Sequence, residues 1–261
     1  MNTTLKTKMR GLIDAYLKAK QTDELGEEID FNIRMENNRA WLKENILNLE
    51  KLKNYSDAEF AEIFGEMFDH TDGDPRSNSF YRGMHFNTNE KRLAVRDKFE
   101  SMIGYIVNHN NDSFDMLKET IESTGSYKVP ELGEHMVSAL INAEYPDIPS
   151  ANMVTKDFFN NIGEPLPTEL LAKHREVREF FKDMQALNND LTLDDIDHIF
   201  WYSKNVDSGR NFMLSNFPTT FNDEDNTRKR AARRRRAKKL TPEEQLAARI
   251  AELQAIQSRA K

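Results

Sequence analysis

Apolar residues in this chain recur three and four positions apart, segment after segment, and nowhere alternate with polar ones for the length of a strand. Phe60, Ile63, Phe64, Met67 and Phe68 form one such stripe, and Ser56-Asp57-Ala58-Glu59 just before it reads as a capping box. Comparable stretches run through 5–17, 41–52, 93–107, 114–121, 134–144, 154–162, 170–187 and 193–202. β-Branched clusters are scarce. The expected fold is therefore all-α: a multi-helix bundle or array over residues 1–216, a linker and basic arm over 217–240, and a terminal amphipathic helix over 241–261.

Charge divides the chain more sharply than hydropathy does. Residues 227–261 hold twelve Lys or Arg against Glu243, Glu244 and Glu252, a net of +9. Since the whole chain carries −7, the remaining residues carry −16. The positive charge is densest in Arg228, Lys229, Arg230, Arg233, Arg234, Arg235, Arg236, Lys238 and Lys239. Such a run suits phosphate, whose condensed counterions are released on contact, and it positions a protein without reading base sequence. The expected ligand is DNA or RNA. The alternatives are the acidic body, self-association, or an anionic membrane surface, although the tail lacks the aromatic residues of a membrane-inserting helix. Thr241-Pro242-Glu243-Glu244 caps the last segment, and Leu246, Ile250, Leu253 and Ile256 give it a narrow apolar stripe suited to the body, a second copy or another protein.

The absence of cysteine excludes disulfides, cysteine-ligated zinc, iron–sulfur clusters and thiol nucleophiles. Residues 1–20 contain no continuous apolar run, and the longest runs elsewhere, such as Met102 to Val107, fall far short of a membrane span. A cytoplasmic protein with no membrane partner is expected.

The long stretch between His70 and Thr88 contains the turn signal Thr71-Asp72-Gly73-Asp74-Pro75. His70, Asp72, Asp74 and His85 are potential metal ligands there, but Asp-Gly-Asp-Pro is also ordinary turn chemistry, and no metal is assigned. Arg76, Arg82, Lys91 and Arg92 bracket the loop with positive charge, and Arg76 and Arg82 are taken as phosphate contacts, with surface salt bridges as the alternative. Asp194, Asp195, Asp197 and His198 precede Ile199-Phe200-Trp201 and read as the solvated face of a helix that keeps Trp201 in the core, with acid–base or metal chemistry by the carboxylates and histidine as the alternative. His135 and His174 read as structural. No nucleotide-binding loop, Gly-x-Ser-x-Gly elbow, His-Glu-x-x-His pair or Rossmann glycine set occurs, so no catalytic residue and no cofactor is nominated.

Val129-Pro130-Glu131-Leu132-Gly133, leading into 134–144, resembles a helix-hairpin-helix. In that motif backbone N–H groups at a helix start face a DNA phosphate, which makes Gly133 a candidate contact; Glu131 stands where the hairpin's first glycine would. A longer series includes Leu132-Gly133, Ala139-Leu140, Tyr145-Pro146-Asp147-Ile148-Pro149, Asn152, Val154-Thr155 and Ile162-Gly163. With Phe80 to Phe86, Asn89 to Leu93 and Leu191 to Trp201, it resembles the helical region upstream of the motor in McrB-type restriction GTPases and related defence proteins. The resemblance spans roughly 48–204. It implies a helical module of a restriction or anti-phage system that contributes DNA contact or assembly, with any motor on another chain. The alternatives are a DNA-acting enzyme, either a nuclease or a helix-hairpin-helix glycosylase, and an assembly protein whose arm binds acidic partners. Glycosylases of that type place a catalytic aspartate about twenty residues beyond the hairpin. Here Ser150 to Val154 offer no carboxylate.

Overall fold

The computed structural model describes residues 1–70, 85–109, 113–149 and 151–221. Among these residues there are twelve α-helices and no strand. They are α1 (Thr3–Gln21), α2 (Phe31–Asn45), α3 (Leu49–Asn54), α4 (Asp57–His70), α5 (Asn89–Leu93), α6 (Arg96–Val107), α7 (Ser113–Ile121), α8 (Glu134–Glu144), α9 (Met153–Ile162), α10 (Leu170–Leu187), α11 (Leu193–Asn205) and α12 (Asp207–Asn216). A short 3-10 helix, Gly26–Asp30, leads into α2. The expected all-α array is what forms, and no described helix is long and apolar enough to cross a membrane.

Side-chain caps set most of the helix starts. Asn2, Asn48, Thr88 and Asn152 each accept from a backbone N–H three residues on. The Ser56–Glu59 box forms as expected, with Glu59 accepting from the Ser56 amide at 2.8 Å and Ser56 Oγ from the Glu59 amide at 3.3 Å. Caps also correct two stretches read as continuous. The one at 41–52 breaks at Ile46 to Asn48, because Ile46 and Leu47 both donate to Leu42 O while the Asn48 side chain starts α3. The one at 93–107 breaks at Ala94 and Val95, where α5 ends and α6 begins. At the end of α9, Gly163 takes φ +81°, the left-handed conformation that closes a helix and that a Cβ would strain.

Residues 1–221 form one compact unit with two apolar cores. The first core is built by α2 to α8 around Phe60, Phe64, Phe68, Phe86 and Phe99, whose rings meet mainly edge to face. The second joins α1 to α9, α10, α11 and α12 through Met9, Leu12, Phe158, Phe159, Phe180, Phe200 and Met213. Its N-terminal helix and its C-terminal helices are thus separated in sequence by the whole of the first core. Two helices tie the cores together. α2 packs on α4 and α8 of one and on α11 of the other, and α10 lays Leu170 and Leu171 on the first core while Val177, Phe180 and Phe181 enter the second. Phe217 and Phe221, within the expected linker, are buried in the second core.

α11 and α12 approach closely at Gly209. A Cβ there would lie 2.5 Å from Tyr202 O and 2.9 Å from the Tyr202 ring, both held by the helix they belong to. Gly209→Ala is expected to force the two helices apart and cost about 2 kcal/mol, read as a lowered urea midpoint at unchanged slope.

Candidate functional site

Most of the expected phosphate contacts lie outside the described residues: Arg76 and Arg82 in the loop, and Arg228, Lys229, Arg230, Arg233, Arg234, Arg235, Arg236, Lys238 and Lys239 in the arm. The terminal segment 241–261 and the loop carboxylates Asp72 and Asp74 lie outside them too. Among the described residues, no three His, Asp or Glu side chains converge on a metal position. His70 stacks on Trp41 with centroids 4.0 Å apart and shares a hydrogen bond with Asn38 Oδ1 at 3.2 Å; burial lowers its pKa.

Gly133 is described, and its surroundings differ from a phosphate-binding hairpin. It caps α8 at φ −75° and ψ 163°, extended backbone open to any residue. No helix lies between Ile121 and Glu134, so α7 and α8 are not joined by a tight turn. Carboxylates flank the helix start instead of cations. Glu131, at φ +63°, pairs with His85 Nδ1 at 3.0 Å. Glu134 accepts from Lys173 Nζ at 2.7 Å and from the buried His174 Nε2 at 3.1 Å. Burial works against the Glu134 charge, but these bonds outweigh it and hold the carboxyl below its usual range. His174, buried on α10, is thereby tied to Glu134 at the start of α8.

Many other cations of the body are likewise engaged by carboxylates or main-chain carbonyls. Arg92 donates to Phe86 O and Ala61 O, both at 2.8 Å, over the bare backbone of Gly65. Arg39 grips Asp194 with two bonds of 2.8 and 2.6 Å. Arg96 reaches Asp57, Glu100 and Tyr55 O, Arg178 pairs with Asp147, and Lys204 with Asp157. Charge spent in these contacts is not available to a polyanion without breaking them.

The reading of 194–198 as a solvated face needs correction. Asp195 is 6% exposed and His198 is 1% exposed, while Trp201, assigned to the core, is only partly buried. Asp195 joins three helices. Its Oδ1 accepts from Lys20 Nζ and Asn32 Nδ2, both at 2.9 Å, and from Tyr16 Oη at 3.3 Å. Its Oδ2 accepts from Thr192 Oγ1 at 2.8 Å and the Thr192 amide at 3.1 Å, and Thr192 Oγ1 accepts from the Asp195 amide at 3.1 Å. Burial alone would raise this carboxyl, but the bonds from Lys20, Thr192 and Asn32 carry it down to about 2. Tyr16 Oη also meets His198 Nδ1 at 3.1 Å. Phe31 stacks on the imidazole at 4.5 Å and Trp201 lies 5.2 Å away. Burial, then Lys20 and Arg34, push His198 down to about 4, against the pull of Asp195. Burial and Asp195 raise the Tyr16 hydroxyl.

At neutral pH this cluster holds an ionised Asp195, a neutral His198 and a protonated Tyr16. Two shallow surface depressions, of about 330 and 270 Å3, are lined by other residues, among them Lys53, Asp97 and Glu100 in one and Asn2, Lys8 and Phe217 in the other. What the cluster does is fasten α1, α2 and α11. Two signals in the sequence mark it: Thr192 and Asp195 have capping-box spacing, and Asp195, Ile199 and Tyr202 fall on one helical stripe. No family model, no curated protein and no solved structure matches the chain.

Proposed function

We propose that this chain is a nucleic-acid-binding accessory protein that holds DNA or RNA through the basic arm 228–239 and uses its helical body as a docking module. The observation that carries this reading is the segregation of charge. Residues 227–261 hold a net of +9 and the rest of the chain −16. Much of the body's own positive charge is drawn into ion pairs and main-chain contacts, as at Arg39, Arg92, Arg96 and Lys173. A polyanion is repelled by such a body and attracted to the arm. Gly133 is left out of the proposed contact set, because Glu131 and Glu134 stand on either side of it. The resemblance of 48–204 to the region upstream of the motor in McrB-type proteins supports placing the chain in a restriction or anti-phage system.

The test compares binding of a labelled duplex by the whole chain and by a chain ending at Phe221, across a salt series. Loss of binding on truncation supports the arm as anchor. Equal binding by the truncated body refutes it. Cleavage or base release in the presence of divalent metal would replace an accessory role by an enzymatic one.

A further inference from the structure

Two features that a folded chain normally avoids coincide where the 3-10 helix Gly26–Asp30 runs into α2. The first is exposed apolar surface. Ile29 and Ile33 are 41% and 58% exposed and sit about one helical turn apart; Met153 and Leu214 are the other large apolar side chains this open among the described residues. The second is incomplete polar pairing. Asn32 Oδ1 and Arg34 Nε, on the same first turn of α2, are buried with no hydrogen-bond partner among the described residues, and so is Nε2 of His198, whose ring stacks on Phe31. Most buried polar atoms find partners, and local violations concentrate at sites that do something.

The helix that carries these features bridges the two cores, but its first turns are held to α11 mostly by polar contacts. Only Phe31 and Leu42 of α2 are buried, and its grip on α11 is largely polar, through Asn32 with Asp195 and Arg39 with Asp194. Asp23, Asp30 and Glu36 are exposed around Ile33, and the nearby cations are already paired, Arg34 with Glu28 at 2.6 Å, Lys20 with Asp195 at 2.9 Å and Arg39 with Asp194 at 2.6 Å. An apolar pair rimmed by carboxylates is complementary to a helix that has leucine-like side chains on one face and lysine or arginine beside them.

We infer that the 3-10/α2 shoulder, centred on Ile29 and Ile33, is a docking surface for a basic amphipathic helix of a partner protein. The two isoleucines fill the partner's apolar face, and Asp30 and Glu36 meet its cations. This goes beyond the nucleic-acid reading and does not depend on it.

The experiment uses the whole chain and, as probe, a labelled Lys/Leu peptide of about 18 residues with leucine at helical spacing, long enough to hold a helix. Its Glu/Leu counterpart is the control. Fluorescence anisotropy at physiological salt is expected to show that Ile29→Ser/Ile33→Ser weakens binding of the Lys/Leu peptide by roughly tenfold or more, while Met153→Ser leaves it unchanged. The variants' melting temperatures verify that the fold is kept; both isoleucines point to solvent, so little stability is at stake. Equal binding by the isoleucine variant and the parent would overturn the proposal, as would equal binding of the Glu/Leu peptide. A concentration-dependent dimer of the chain, abolished by the same two substitutions, would overturn it in favour of a second copy as the occupant.

Discussion

Replacing the nine arm cations by glutamine in the whole chain is expected to abolish duplex binding at physiological salt and to flatten its salt dependence. If about six of them neutralise phosphates, log affinity falls against log salt with a slope of about −5, and a fourfold rise in salt costs roughly a thousandfold in affinity. Glutamine removes the charge while leaving a polar side chain, and because counterion release follows charge, loss of the slope reads the electrostatic contribution. The acidic body adds to the contrast, because without the arm the chain presents its net of −16 to the polyanion. A variant that retains both affinity and slope would move the contact to the body and sink the proposed function, whereas the shoulder at Ile29 and Ile33 would stand untouched. The two readings fail separately.

Asp195→Ala is expected to be the most damaging single substitution in the body. It leaves the Lys20 ammonium, the Asn32 amide and the buried Tyr16 hydroxyl without their acceptor, and it opens the Thr192 capping box. Losing an acceptor from a buried charged network costs about 3–5 kcal/mol, measurable by urea unfolding. A loss under about 1 kcal/mol would mean that the cluster does not fasten α1 and α2 to α11. Acid should act on the same place in two stages. His198 titrates near 4 in the fold against an ordinary 6.5, so the unfolded chain takes up a proton first. Stability present above pH 6.5 therefore declines as pH falls towards 4, by about 3 kcal/mol. Asp195, at about 2 against an ordinary 3.8, stabilises fully above its unfolded value and loses about 2 kcal/mol as pH falls from there through 2. His198→Phe keeps a ring against Phe31 and Trp201 and should remove the first stage alone. If the slope between pH 6.5 and 4 survives in that variant, other groups carry it.

The sequence by itself determined what is local. The spans 134–144 and 170–187 read from periodicity coincide with α8 and α10, and the Ser56–Glu59 box forms as spaced, because helical period and capping bonds operate within a few residues. The separation of a +9 tail from a −16 body needs no fold at all. What was missed is non-local. α12 escaped notice because Met213 is its one large buried side chain and close packing at Gly209 replaces an apolar stripe. The first part of α2 escaped notice because beside Phe31 its inward contacts are made by Asn32, Arg34 and Arg39, whose partners lie on the 3-10 helix and on α11. Asp195 and His198 read as solvated because a charged residue is ordinarily cheapest in water; only when Tyr16, Lys20 and Asn32 arrive from distant sequence does burial become the lower free energy. The interleaving of two cores, with α1 closing against α9 to α12, was likewise decided by tertiary structure. A helix's pattern shows that one face must be covered, and only packing against the other helices selects what covers it.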